Sequence, residues 1–238
     1  MLYLIVTLTL VQPPAQPPIV SEAMKMMHYY EKPDPQRGVA FLKELLKPEN
    51  LDNPLTTRSD GHVLSILCEQ LGYIAKGKPE IIREYEKLFA SATTTGKYGI
   101  LRALRICGDE ATVKQISAWL ETEKAEQTVE MLKKVRDQLK SSNRQLPRDT
   151  PVRNSKDLDL LWADFFATGE YAPISRLLDV LEMEVIAPGV LHAARWSLES
   201  NMKTHPKLVE LIKKHLKERN DKSKAEVEKL LDKVQEVK

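Results

Sequence analysis

The sequence predicts an all-α fold: an irregular α-helical repeat of about eleven or twelve helices, arranged as a HEAT-like solenoid or a right-angled stack of helical hairpins. Three observations predict it. From Ser21 onward, apolar residues recur at helical spacing, which gathers them on one face of each segment. Prolines stand ahead of these segments and glycines behind them, the asymmetry expected of helix starts and stops. Alternation of period two, the mark of a half-buried strand, is absent beyond the N-terminal leader over 1–18.

In chain order the periodicity predicts helices over 22–31, 35–47, 61–76, 79–92, 97–107, 110–122, 124–142, 156–168, 173–184, 188–204, 206–219 and 223–237. Ala23, Met26, Met27 and Tyr30 share one face, as do Leu64, Leu67, Leu71 and Ile74. Ile81, Ile82, Tyr85, Leu88 and Phe89 follow the same rule, and so do Leu158, Leu161, Trp162 and Phe165. Val227, Leu230, Leu231 and Val234 close the chain with it. Pro35, Pro79, Pro173, Pro188 and Pro206 fall in predicted first turns, where a missing N–H has no helical partner to lose. Gly77, Gly108 and Gly169 are expected to end helices in the left-handed conformation. Ser223 and Glu226 have capping-box spacing. The segments 48–60 and 143–154 read as long irregular loops.

The first eighteen residues stand apart. Leu2–Val11 is an apolar run broken only by Thr7 and Thr9, and a proline-rich stretch over 12–18 follows it. The run is far short of the roughly 20 residues that span a bilayer. It has the length of the apolar core of a secretory signal peptide, although no Lys or Arg precedes it and no A-x-A site follows. The remaining chain divides into lobes over 21–142 and 155–238, with 143–154 either a domain linker or an inter-repeat loop. No other stretch approaches transmembrane length.

Alignment on glycines exposes a weak repeat. The chain reads YIAKGKPEIIREYEKLF around Gly77, LRICGDEATVKQISAWL around Gly108 and FFATGEYAPISRLLDVL around Gly169. Each is a helix end, a tight turn and a second amphipathic helix. One hairpin cannot bury its own apolar face, so stacked copies must share a core; the long loops keep a compact bundle open as the alternative. These units resemble HEAT-like helical repeats. The segments YYEKPDPQRGVAFLKELL, LLWADFFATGEYAPISRLLDVL and HAARWSLESNMKTHPKLVELI resemble an uncharacterised bacterial family of exported all-helical proteins. That resemblance implies an all-helical fold and export to the periplasm or beyond, and it carries no activity, cofactor or catalytic residue.

Charge and motif content exclude several classes. The 238 residues carry 36 Lys and Arg against 34 Asp and Glu, too even a balance for a dedicated nucleic-acid binder. The segment 203–238 is more basic, with its cations interleaved with Glu as on a solvated helix. No pair among the five histidines has the i, i+4 spacing of a helical zinc site, and the chain has neither a Gly-rich phosphate loop nor a G-x-S-x-G elbow. Asp157, Asp159 and Asp164 read as structural carboxylates, Asp157 favouring the positive end of a helix dipole. Cys68 and Cys107 lie on apolar faces, and stacking their helices in register sets them about 12 Å apart. That is too far for a disulfide, so free thiols are expected.

The helix over 188–204 is apolar on two sides. Leu191, Ala194 and Leu198 form one face, and His192 and Trp196 the other. Such a helix is either sandwiched in a stack or exposes an aromatic groove. The candidate binding surface is therefore Trp162, Asp164, His192 and Trp196, with tryptophan as the hot-spot residue. The expectation is a non-enzymatic protein- or peptide-binding scaffold without metal or cofactor. The alternatives are a structural or regulatory subunit of a larger assembly, or a hydrolytic enzyme built around Trp162, Asp164, His192 and Arg195.

Overall fold

A computed structural model describes residues 18–51, 54–141, 145–183, 186–217 and 223–235. The leader predicted over 1–18 lies outside these except for its last residue. Among the described residues the fold is all-α, with thirteen helices and no strand, and no helix is long and apolar enough to cross a membrane. The chain divides into two compact units. One runs to Leu146 and includes Phe166–Thr168; the other comprises Pro147–Phe165 and the chain from Gly169 onward.

The N-terminal unit contains α1 (Pro18–Met26), a 3-10 turn (Tyr29–Glu31), α2 (Pro35–Leu45), α3 (Pro48–Leu51), α4 (Pro54–Ala75), α5 (Pro79–Phe89), α6 (Thr94–Cys107), α7 (Glu110–Thr122) and α8 (Glu126–Lys140). The starts are chemically defined. Pro35 and Pro79 occupy first-turn positions. The side chains of Asp34, Thr93 and Asp109 accept from backbone N–H groups of α2, α6 and α7, each cap stabilising its helix by about 1 kcal/mol. The segment expected to be a loop over 48–60 instead carries α3 and the first turns of α4. Gly61 marks the difference: it sits within α4 at φ 73°, a left-handed backbone that glycine adopts without strain.

Helix α4 packs most extensively on α6, and α6 in turn on α8; α2 packs on α4 and α5, and α5 on α6 and α7. Leu42, Leu45, Leu71, Ile74, Ile81, Ile100 and Leu104 are buried between these helices. Tyr85 is buried with them and donates its hydroxyl to the Leu71 carbonyl at 3.2 Å, and Gln70 donates to the Met26 carbonyl at 2.7 Å. Two glycines set the α4–α6 spacing. A Cβ on Gly72 would meet the Ala103 carbonyl oxygen at 2.6 Å, and one on Gly99 would meet Cys68 Sγ at 2.9 Å. Cys68 and Cys107 are both buried, and neither is in a disulfide.

The C-terminal unit contains a 3-10 turn (Pro147–Asp149), all but the last three residues of α9 (Ser155–Thr168), α10 (Tyr171–Val180), α11 (Pro188–Thr204), α12 (Pro206–Leu216) and α13 (Ser223–Gln235). Helix α11 packs on α13, α10 and α12, burying Ala194, Leu198 and Met202. The capping box of this unit lies at α9. There the Asn154 side chain accepts from Lys156 and Asp157 N–H, and Asp157 accepts from the Asn154 N–H. At the start of α13, where Ser223 and Glu226 have capping-box spacing, the Ser223 N–H donates to Glu182 and Glu226 pairs with Arg195. Of the three glycines expected to be left-handed, Gly77 and Gly169 are, at φ 73° and 66°. Gly108 is not, at φ −57° and ψ 144°; it follows α6 in extended backbone, so α6 ends without a left-handed residue.

Candidate anion-binding site in the N-terminal unit

The close approach of α4 and α6 creates an unusual burial. Glu69 sits on α4 between Cys68 and Gln70 and is 0% exposed. A carboxylate taken from water needs ionic partners and hydrogen bonds to persist, and α6 supplies them one helical turn apart. Arg102 Nη1 and Arg105 Nη2 both donate to Glu69 Oε1, at 2.8 and 2.7 Å. The second oxygen, Oε2, is buried with no hydrogen-bond partner. Tyr98, one turn earlier on α6, accepts from Arg102 Nε and Nη2 at 2.8 and 2.5 Å. Burial works against the Arg102 charge, but Glu69 and Tyr98 outweigh it and raise its pKa above the ordinary value. The cluster therefore holds two permanently charged guanidinium groups, with little freedom left at Arg102.

Both arginines also face outward, with side chains 32% and 26% exposed. They line a cavity of about 210 Å³ between α6 and α8. Helix α6 contributes Tyr98, Leu101, Arg102 and Arg105. Helix α8 contributes Met131, Lys134, Val135 and Gln138. Each set follows i, i+3, i+4, i+7, so two helix faces form the walls. The polar groups are mostly donors: three cations and the Tyr98 hydroxyl. Gln138 Oε1 is the exception, a buried acceptor without a partner. An array of this kind binds anions through charge-assisted hydrogen bonds.

The residues singled out by sequence lie in the C-terminal unit and are not gathered on one exposed surface. Trp162 is 1% exposed and makes an edge contact with Phe165, ring centroids 6.0 Å apart. Asp164 is 0% exposed and accepts from Arg148 Nε and Nη2 at 2.6 and 2.5 Å. Arg148 also donates to Glu170 at 2.6 Å. His192 is exposed and Trp196 half-buried on α11, while Arg195 pairs with Glu226 at 3.0 Å and ties α11 to α13. Burial thus removes Trp162 and Asp164 from any surface groove of this unit and leaves His192 and Trp196 outside.

Sequence reasoning passed over Glu69, Arg102 and Arg105. The available signal was one acidic residue in the apolar face of HVLSILCEQLGYIA, matched by arginines three apart after Tyr98. No family model, curated protein or solved structure matches the chain.

Proposed function

We propose that the chain is a non-enzymatic α-helical repeat scaffold that binds a protein or peptide partner, and that the partner places an acidic group in the cavity between α6 and α8. The packing order supports the repeat reading. Helices two apart in sequence pair along α2, α4, α6 and α8, with α5 against α7 beside them, the relation expected when hairpins stack and share a core. One observation carries the binding reading. The Arg102 and Arg105 guanidinium groups are fastened from behind by Glu69 and open in front onto a cavity. Side chains already fixed by their supports lose less freedom when a ligand binds.

The test is fluorescence anisotropy of the full chain with a labelled peptide of alternating Leu and Glu, against a Leu and Gln counterpart. The acidic peptide should bind with an affinity that falls as salt rises. Arg102→Gln should weaken it about ten- to a hundredfold, the range of a hydrogen bond to a charged group. Equal behaviour of the two peptides, or no binding of either, refutes the reading.

A further inference from the structure

From the charge and donor inventory of the same cavity, and resting on the scaffold reading above, we infer that the acidic group is a phosphoryl group on a side chain of the partner peptide. Arg102, Arg105 and Lys134 line the cavity, and Glu69 neutralises one of the three charges. Two positive charges remain. A carboxylate brings one negative charge, whereas a phosphorylated side chain brings about −1.5 to −2 at neutral pH.

The donor count points the same way. Arg102 has five N–H donors and spends one at each of Nε, Nη1 and Nη2 on Tyr98 and Glu69, which leaves two. The Tyr98 oxygen accepts from Arg102, so its own O–H remains to donate. Lys134 is exposed and adds its ammonium group. Two on Arg102, one on Tyr98 and three on Lys134 exceed the roughly four acceptor positions of a carboxylate and suit the three oxygens of a phosphoryl group. The solitary acceptor, Gln138 Oε1, takes a peptide N–H from the segment that carries the phosphoryl group. The volume of about 210 Å³ leaves room for the stem of that side chain against Leu101 and Val135.

The experiment is titration calorimetry on the full chain with four probes: a Leu-rich peptide bearing one phosphoserine, the same peptide with Glu in its place, phenyl phosphate and inorganic phosphate. The phosphoserine peptide should bind at least about tenfold tighter than its Glu counterpart, since charge-assisted bonds multiply on the added oxygens. Lys134→Gln, an exposed change that spares the fold, should shrink that preference several-fold. Arg102→Lys keeps the charge but loses the planar fork and should abolish the preference, with melting curves checking that both variants fold. If the Glu peptide binds equally well, the phosphoryl inference falls and the scaffold reading stands. If phenyl phosphate or inorganic phosphate binds as tightly as the phosphopeptide, the phosphoryl chemistry stands and the peptide-scaffold reading falls. If no probe binds, both fall.

Discussion

Gly72 lets α4 approach α6 closely enough for Glu69 to meet its arginines, and Gly72→Ala should loosen that contact. The added Cβ would lie 2.6 Å from the Ala103 carbonyl oxygen and 2.7 Å from Ile106 Cβ, where ordinary contact begins at 3.4 Å. The nearest atom is backbone and cannot swing aside, so the helices must part by most of an ångström. Overpacking of this kind costs about 1–3 kcal/mol. Against it, alanine gains about 1 kcal/mol over glycine inside a helix. Because the blocking atom is backbone, the cost falls in the upper part of that range, about 2–3 kcal/mol, so the net expectation is a loss of roughly 1–2 kcal/mol, seen as a melting temperature lower by about 2–8 °C. Far-UV circular dichroism, with a urea titration beside it, measures the change. Affinity for the acidic peptide should fall in the same variant, because Glu69 lies one turn away on the same face. A melting temperature that is unchanged or higher would mean that helix propensity alone decides the outcome, and would refute the close-approach argument.

Trp162→Ala should cost about 3–5 kcal/mol, because the ring is fully buried, whereas Trp196→Ala should cost about 1 kcal/mol or less; urea unfolding of the two variants separates them. Burial pushes the Cys68 thiol up to about 12, so at mildly alkaline pH a thiol reagent should label the folded chain slowly and both cysteines rapidly in denaturant. Burial also raises the Glu86 pKa above its ordinary value. The folded state then holds that proton more tightly than the unfolded one, so the ionised group destabilises the fold; the penalty sets in as pH rises past the ordinary value and is complete above the folded pKa. Glu86→Gln should therefore stabilise the chain at neutral pH, with an advantage that disappears below the ordinary carboxylate value of 4.5, as urea midpoints across pH will register.

The helices were legible in the sequence because their determinants are local. Pro188 to Thr204 is helical from end to end, as its proline start and apolar period predict, and Glu110 to Thr122 likewise. The misses needed information from elsewhere in the fold. The helical turns over 48–60 carry little amphipathic pattern, and whether Gly108 turns left-handed depends on the route of the chain after α6. The candidate site was illegible for the same reason. Glu69 and Arg102 lie 33 residues apart, and a charge on an apolar stripe acquires meaning only when the facing helix is known. Trp162 and Trp196 show the converse, since both entered the candidate surface and burial separates them, Trp162 at 1% exposed and Trp196 half-buried.

The sharing of one Glu69 oxygen between two arginines sets a rule for mutational drift. Losing the acid strands two cations side by side, while losing either base leaves the sunken carboxylate with half its support. A buried ionic trio is nevertheless often replaced as a whole by hydrophobic residues at little or no cost to stability. The three positions should thus vary together or not at all, and a concerted Leu–Met–Met replacement should yield a well-folded molecule that has lost its recognition chemistry.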